Sequence, residues 1–270
     1  MESVRDLLAA SCLPRLEAQM LLRHVLQVPR AWLIAHDTDP LPVEARTAYR
    51  RLAEQRLAGQ PMAYLLGFRE FMGHEFAVSP AVLIPRPDTE LLVETAVQHL
   101  NGQPGARVLD LGTGSGAIAV SIALACPRAE VVATDLSRAS LDLAQDNARR
   151  LSARVEFLCG SWYDALLGQG AFDLIVSNPP YIAADDAHLE QGDLRFEPAA
   201  ALSDGADGLQ ALRIIAGGAG QWLKPGGALW MEHGWDQAEA VRGFLRQAGF
   251  KRLASRLDLA GIERVSGGYL

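Results

Sequence analysis

The chain has 270 residues, of which 49% are hydrophobic and 21% are charged. These fractions are typical of soluble globular proteins, and they exclude intrinsically disordered, collagen-like and low-complexity chains. The formal net charge is −7 at pH 7. Because nucleic-acid binding usually needs a basic surface, this charge disfavours a DNA- or RNA-binding protein, and we expect no direct nucleic-acid contact.

The cysteines and the apolar runs restrict the cellular setting. Cys12, Cys126 and Cys159 lie in apolar stretches, and an odd, scattered set matches neither a disulfide framework nor zinc-ligand spacing. We therefore expect free, buried thiols and no bound metal. No apolar run has the length of a membrane span, and the first residues are acidic and polar, unlike a secretory signal. We expect a cytoplasmic protein without a membrane partner.

Residues 1–66 are predicted to form a helical domain. Apolar residues recur at helical spacing over residues 18–26, and Pro29 ends that helix. The same spacing recurs over residues 45–53. The pattern indicates a bundle of about four helices, which is too small to be catalytic alone and suits partner recognition.

Residues 67–87 have a different character. Aromatic residues and glycines alternate from Gly67 to Val78, a short apolar run follows at Val82-Leu83-Ile84, and Pro85-Arg86-Pro87 closes the segment. This pattern predicts a β-hairpin linker.

Strands and helices alternate in residues 88–270, which predicts a doubly wound, parallel α/β sheet. One helix is expected over residues 118–125, and another begins at Ser137 as its N-cap. The chain ends differently, because strands on either side of Ala260-Gly261 suggest an antiparallel hairpin. The expected parallel strands are residues 107–109, 131–134, 155–158, 174–176 and 228–231.

A glycine-rich loop joins the first of these strands to the helix that follows. Its sequence is Asp110-Leu111-Gly112-Thr113-Gly114-Ser115-Gly116, in which glycines allow a tight turn and a close approach to a ligand. Asp135 ends the second strand, where a carboxylate can accept hydrogen bonds from both ribose hydroxyls. Since Asp110 would repel a pyrophosphate but attract a cation, the loop favours S-adenosylmethionine over a dinucleotide.

The fourth strand is followed by Asn178-Pro179-Pro180-Tyr181. Two prolines remove two N–H donors, so that carbonyl oxygens face the site as acceptors. The Asn178 side-chain oxygen and the Pro179 carbonyl can hold both N–H bonds of a planar –NH2 group, and Tyr181 can stack on that plane. Such a grip aligns the weakly nucleophilic nitrogen of an amide with a methyl sulfonium.

The ordered set of these motifs resembles class I S-adenosylmethionine-dependent amino-methyltransferases. More closely, the chain resembles the HemK/PrmC family, the peptide chain release factor N(5)-glutamine methyltransferases, from about residue 60 to residue 250. The most specific shared segments are Gly67-Phe68-Arg69-Glu70-Phe71-Met72-Gly73, Leu83-Ile84-Pro85-Arg86-Pro87-Asp88-Thr89-Glu90, Arg195-Phe196-Glu197-Pro198, Asp207-Gly208-Leu209 and Glu232-His233-Gly234-Trp235.

The resemblance implies a seven-stranded methyltransferase domain over residues 88–270 behind the helical substrate-recognition domain. It implies that Asp110, Gly112, Thr113, Gly114, Ser115, Gly116, Asp135, Trp162 and Asn178 bind S-adenosylmethionine, with S-adenosylhomocysteine as product. It further implies that Asn178, Pro179, Pro180 and Tyr181 form the catalytic and substrate-binding motif. The implied substrate is the glutamine of the Gly-Gly-Gln motif of class 1 release factors, methylated by a monomer, which modulates translation termination.

Two positions depart from the family pattern. Asp88 stands where many relatives have Glu, which is a mild change. Ser161 stands where many have Asp beside the Trp162 position, so a carboxylate contact to adenine is not expected.

Four alternatives remain open. The nearest is methylation of a glutamine on a ribosomal protein, against which residues 1–90 favour release factors. An adenine N(6)-methyltransferase acting on nucleic acid would present a similar –NH2 group, but the net charge of −7 opposes it. A nicotinamide-dependent oxidoreductase would leave Asn178 to Tyr181 unexplained, and the chain has no Tyr-x-x-x-Lys pair. A binding module without cofactor would leave Asp135 and Asn178 without a role.

Overall fold

The computed structural model describes residues 2–270, which divide into two compact units. The N-terminal unit extends to Phe68 and also includes Gln191–Phe196. The C-terminal unit consists of Arg69–Glu190 and Glu197–Leu270.

Within residues 2–68, the N-terminal unit has five helices, where the sequence predicted about four. The additional helix is too short for its periodicity to be recognised. Ser3 begins the first helix through a capping box with Asp6, and a proline directly precedes each of the others. The helices are α1 (Val4–Ala10), α2 (Arg15–Leu26), α3 (Arg30–Ala35), α4 (Val43–Leu57) and α5 (Met62–Leu66).

The core of this unit is formed by the faces that the periodicity predicts. Leu21 and Leu22 of α2 are fully buried, and Tyr49 of α4 is 3% exposed. Arg56 on α4 donates two hydrogen bonds to Glu17 on α2, at 2.8 and 2.9 Å. This paired contact joins the two longest helices of the bundle at its surface.

Two short strands follow the helices as a hairpin. β1 (Phe68–Phe71) pairs with β2 (His74–Ala77), and Met72 and Gly73 between them have φ of 51° and 76°. The predicted hairpin over residues 67–87 is therefore shorter than expected. The run Val82–Ile84 has no regular structure, although Val82 and Ile84 are buried.

Seven strands form one sheet in the described part of the C-terminal unit, in the order β5-β4-β3-β6-β7-β9-β8. β9 runs antiparallel to both of its neighbours, and the other named pairs are parallel. The predicted fold class, with its antiparallel C-terminal hairpin, is confirmed. The strands are β3 (Arg107–Leu111), β4 (Glu130–Asp135), β5 (Val155–Cys159), β6 (Phe172–Ser177), β7 (Leu223–Glu232), β8 (Lys251–Leu257) and β9 (Glu263–Tyr269).

Helices cover both faces of this sheet, because successive strand residues point to opposite sides. Val108 packs in one core cluster and Leu109 in the other. The Ser137 side chain accepts a hydrogen bond from the Ser140 backbone and caps its helix, as predicted. The helices are α6 (Glu90–Leu100), α7 (Ala117–Ala125), α8 (Arg138–Leu151), α9 (Ala199–Leu202), α10 (Gln210–Gly218) and α11 (Ala238–Gln247).

The order of the strands determines where a ligand can bind. The chain leaves β3 for β4 on one side and later returns to pair β6 on the other side. A crevice opens at the carboxyl ends of parallel strands where the order reverses in this way. The glycine loop, Asp135 and Asn178 all lie at the ends of these three strands.

The prediction that the thiols are buried is wrong. Cys12 and Cys159 are exposed, and Cys126 is half-buried. Cys12 lies in the connection between α1 and α2, and Cys159 ends β5, which is a strand at the edge of the sheet. All three thiols are free. Among the described residues, no helix is both long and apolar enough to cross a membrane.

Candidate active site

The glycine loop is held against β4 by backbone hydrogen bonds. The N–H groups of Gly112 and Thr113 both donate to the Thr134 carbonyl at 2.9 Å. Gly116 begins α7 with φ of +81°, and a Cβ there would lie 3.0 Å from the Cβ of Ala144. Only glycine combines this backbone conformation with so close a contact to the neighbouring helix.

Asp135 joins the end of β4 to this loop. Its Oδ2 accepts a hydrogen bond from the Gly114 N–H at 2.9 Å, and its Oδ1 accepts one from the Ser137 N–H at 2.8 Å. Burial raises the pKa of the carboxyl group, and these N–H donors oppose that shift. Each oxygen keeps a further lone pair, so the carboxylate can still accept hydrogen bonds from a diol.

Asp110 lies beneath the loop and is fully buried. The Thr113 hydroxyl donates to its Oδ2 at 2.6 Å. Its Oδ1 has no hydrogen-bond partner among the residues that the structure describes. Burial raises the pKa of this carboxyl group to about 7, partly opposed by hydrogen bonding from the Thr113 hydroxyl and from the Ala119 N–H. An unpartnered, buried acceptor of this kind is costly unless a ligand satisfies it.

A cavity of about 380 Å³ opens above the loop, a volume within the range of small-molecule sites. The predicted site residues that line it are Gly112, Thr113, Gly114, Ser115, Asp135, Trp162, Asn178 and Pro180. Other predicted residues lie outside its lining, namely Asp110, Gly116, Pro179 and Tyr181.

Several lining residues were not predicted. Apart from Leu136, which follows β4, those named below belong to the segment after β2 and to the start of α9, where prolines stand among small or apolar residues. Leu136 is 73% exposed although it is apolar, and it lines the cavity next to Asp135. The unpredicted lining residues include Ala81, Val82, Leu83, Pro85, Thr89, Leu136, Pro198, Ala200 and Ala201.

Trp162 lines the cavity beside the start of the glycine loop. Its own backbone has φ of +45°, which is unusual for a residue with a side chain. A Cβ on Gly112 would lie 3.4 Å from the indole ring, so the ring packs closely over the start of the loop. Ser161 also lines the cavity and offers a hydroxyl there.

Asn178 directly follows β6. The last residue of that strand, Ser177, holds β6 to β3 through its side chain. The Ser177 hydroxyl donates to the Leu111 carbonyl at 2.7 Å. The Asn178 Nδ2 donates to the Thr89 hydroxyl oxygen at 3.1 Å. With one end of the amide held in this way, Oδ1 is available as an acceptor, and the residue lines the cavity.

Tyr181 is held at both ends within the C-terminal unit. Its hydroxyl donates to Glu232 Oε1 at 3.1 Å, and its carbonyl accepts a hydrogen bond from Gln237 Nε2 at 2.9 Å. Burial raises the pKa of the Tyr181 hydroxyl. A Cβ on Gly208 would lie 2.5 Å from the Tyr181 carbonyl oxygen, so the Asp207-Gly208-Leu209 segment needs glycine to pack here.

Glu197 connects two segments that line the cavity. Its carboxylate accepts hydrogen bonds from the Arg86 guanidinium and, at 2.9 Å, from the Ile84 N–H. The Glu197 side chain is fully buried. The pair fixes the segment before α6 relative to Pro198, which lines the cavity beside it.

His233 is buried beside the site without facing the cavity. Its Nε2 is 2.7 Å from the Ser266 hydroxyl, and its Nδ1 is 2.9 Å from the Gly234 carbonyl. Burial lowers the pKa of the imidazole. These contacts join β7 to β9. Within residues 2–270, no group of three or more His, Cys, Asp or Glu side chains could hold a metal ion.

Comparison with known proteins gives consistent matches. Residues 87–206 match the family model "Methyltransferase small domain", and residues 2–67 match "PrmC N-terminal domain". A release factor glutamine methyltransferase of Bordetella pertussis is 67% identical over 270 residues, covering 100% of both chains. Its namesake in Burkholderia pseudomallei is 54% identical over 98% of this chain and 95% of the other.

Solved structures with low sequence identity share the fold. A methyltransferase from Pyrococcus furiosus has a TM-score of 0.54 at 17% identity, covering 83% of this chain and 98% of the other. The 16S rRNA N2 G1207 methyltransferase of T. thermophilus has a TM-score of 0.54 at 24% identity, covering 75% and 49%.

Proposed function

Because the chain belongs to the release factor glutamine methyltransferase family, we propose that it methylates the side-chain amide nitrogen of the glutamine in the Gly-Gly-Gln motif of class 1 release factors. The methyl donor is S-adenosylmethionine, and the second product is S-adenosylhomocysteine. The observation that carries this proposal is the orientation of Asn178, whose Nδ2 is bound to Thr89. Its Oδ1 is thereby free to accept a hydrogen bond from a substrate –NH2 group.

The residues around the cavity fit the methyl donor in charge and shape. The Asp135 oxygens have lone pairs for the ribose hydroxyls, and Trp162 and Leu136 offer apolar surfaces for the adenine. Asp110 does not line the cavity, but its carboxyl group lies buried beneath the loop and would place a negative charge below the positively charged methionine part. The loop residues that line the cavity, Gly112 to Ser115, would hold that part from below.

When bound, S-adenosylmethionine supplies an electrophilic methyl group on a sulfonium. The chain's contribution is to orient the acceptor, because an amide nitrogen is a weak nucleophile. Asn178 Oδ1 and the Pro179 carbonyl accept the two N–H bonds, and Tyr181 is held in place beside them. As the N–C bond forms and the S–C bond breaks, these acceptors stabilise the positive charge that grows on nitrogen. The extra proton then leaves to solvent.

The test is methyl transfer from labelled S-adenosylmethionine to a purified release factor, a ribosomal protein and duplex DNA in parallel. We expect label on the release factor, and its loss when the Gly-Gly-Gln glutamine is replaced by alanine. Label on the ribosomal protein alone would leave the chemistry intact and replace the partner. Label on DNA alone would contradict the proposal.

A variant separates the role of Asn178 from that of the fold. Asn178→Ala removes the acceptor for the substrate amide, and we expect it to abolish transfer while it largely preserves cofactor binding measured by calorimetry. Asp146→Asn, on the exposed face of α8, is a matched control that should transfer methyl groups at the normal rate. Full transfer by Asn178→Ala would refute the assigned role.

We further propose that the enzyme acts as a cytoplasmic monomer that binds no nucleic acid directly. The net charge of −7 supports the last point, since phosphate-rich partners need a basic surface. Size-exclusion chromatography with light scattering should give the mass of a single chain, 29.1 kDa.

A further inference from the structure

Glu232 is a buried carboxyl group that the proposed mechanism leaves without a task. It is the last residue of β7 and is 1% exposed. Its Oε1 accepts the Tyr181 hydroxyl, whereas its Oε2 has no hydrogen-bond partner among the described residues. A buried, half-satisfied carboxyl group is costly to keep for packing alone, because an apolar side chain would fill the same space without that cost.

Thr89 lies between Glu232 and Asn178. Its hydroxyl oxygen accepts the Asn178 Nδ2–H at 3.1 Å, and the residue is 4% exposed. The same hydroxyl lowers the pKa of the nearby Glu232 carboxyl group, whose Oε2 has no hydrogen-bond partner among the described residues. Because a hydroxyl carries one hydrogen, Thr89 can donate toward only one of its two neighbours at a time.

We infer that Glu232 is a positioning residue, which holds Asn178 through Thr89 with its Oδ1 directed to the acceptor nitrogen. When Glu232 is a carboxylate, it attracts the Thr89 hydrogen, and the hydroxyl lone pair then faces Asn178. Only the Nδ2–H end of the amide can approach a lone pair, so Oδ1 turns toward the cavity. This inference rests on the proposed function, because it requires an –NH2 acceptor beside Asn178.

Protonation of Glu232 reverses the direction of these hydrogen bonds. A neutral carboxyl group can donate its own proton to the Thr89 hydroxyl oxygen. Thr89 then donates its hydrogen to Asn178, whose Oδ1 accepts it, so that the Nδ2 end of the amide turns away from Thr89. Asn178 would then present donors to a substrate that itself offers donors. The ionisation of Glu232 therefore determines whether the substrate amide is held or repelled.

The charged groups around Glu232 place this ionisation near neutral pH. Burial raises its pKa to about 7, Thr89 and Tyr181 lower it through hydrogen bonding, Arg264 lowers it as a neighbouring cation, and Asp88 raises it. Transfer at saturating cofactor should therefore increase as the pH rises through about 7 and level off above it. The carboxylate is the active form.

The experiment compares the pH profiles of kcat, at saturating S-adenosylmethionine, for the full-length enzyme and Glu232→Gln with a purified release factor. We expect Glu232→Gln to lose about 10- to 100-fold in kcat and to lose the rise near pH 7, with cofactor affinity unchanged. Glu263→Gln, a substitution of the same kind at a carboxyl group on β9 that pairs with Arg242, should keep both the rate and the profile.

A second variant tests the inference independently, in case Glu232→Gln does not fold. Thr89→Val has the same shape without the hydroxyl, and we expect it to lower kcat and to abolish the same pH dependence. The double variant with Glu232→Gln should lose little more kcat than either single variant, because both changes interrupt the same contacts from Glu232 through Thr89 to Asn178.

The outcomes distinguish the two proposals. If the wild-type enzyme does not methylate the release factor at any pH, the proposed function fails. If the wild type is active and a folded Glu232→Gln retains its rate and its rise near pH 7, the inference is overturned. If Glu232→Gln does not fold, a Thr89→Val variant with the wild-type profile overturns it equally.

Discussion

Asp110 allows a quantitative test of the proposed cofactor site. Burial is the main reason why the pKa of its carboxyl group is raised to about 7, and Asp135 raises it slightly further. A cation in the cavity above the loop favours the ionised form through space and lowers this pKa. Cofactor binding should therefore release a proton below pH 7, and cofactor affinity should increase with pH.

The size of this effect follows from proton linkage. If the pKa of Asp110 falls below about 4.5 in the complex, affinity increases about fifteenfold between about pH 5.5 and about pH 7. Stability without cofactor has the opposite dependence. The pKa is higher in the folded chain than the ordinary value of 3.8, so the free energy of unfolding falls as the pH rises between these two values.

Asp110→Asn is the matched perturbation, because it keeps the acceptor for Thr113 and removes the ionisable group. Calorimetric titration of S-adenosylmethionine in two buffers of different ionisation enthalpy measures the protons released on binding. We expect release by the wild type and none by Asp110→Asn, whose affinity should be nearly independent of pH and whose melting temperature at pH 7 should be higher. Equal proton release by both proteins would refute the assignment and trace the effect to the ligand's own amino group.

Three further changes test the packing of the site. Gly116→Ala should destabilise the protein by about 1–3 kcal/mol in urea unfolding, since its Cβ would lie 3.0 Å from that of Ala144 at φ of +81°; unchanged stability would contradict the steric argument. Trp162→Ala should weaken S-adenosylmethionine binding by about tenfold in calorimetry, through loss of an aromatic wall, and unchanged affinity would remove Trp162 from the cofactor site. Glu197→Gln should lower the free energy of unfolding by about 1–3 kcal/mol, because the Glu197 side chain is fully buried while Arg86 stays 32% exposed; equal stability would show that the pair contributes nothing.

The sequence was sufficient for the features that depend on local pattern. The glycine loop, Asp135 and Asn178 each lie at the carboxyl end of a strand, and the alternation of strands with helices makes these strands recognisable. The order of the parallel strands then places these ends together. Ser137 was recognised as a cap because capping involves residues a few positions apart. The confirmed fold class rests on these short-range signals.

The rest of the site depends on contacts between distant segments, which no local pattern encodes. Glu197 accepts the N–H of Ile84, 113 positions earlier in the chain. Thr89 meets Asn178 across 89 positions, and this contact holds the Nδ2 end of the amide. The exposure of Cys12 was missed because an apolar neighbourhood in sequence does not establish burial in a loop.

The two buried carboxyl groups near the site differ in what can ionise them. Glu232 has Arg264 as a neighbouring cation, whereas no cation among the described residues is a cause of the Asp110 shift, and Asp135 opposes its ionisation. Burying a charge without a partner is costly, so a cationic ligand should lower the pKa of Asp110, whereas the pKa of Glu232 should depend less on the ligand. Saturating cofactor should therefore remove the contribution of Asp110 from the pH profile of kcat and leave that of Glu232. An assay at limiting cofactor should contain both.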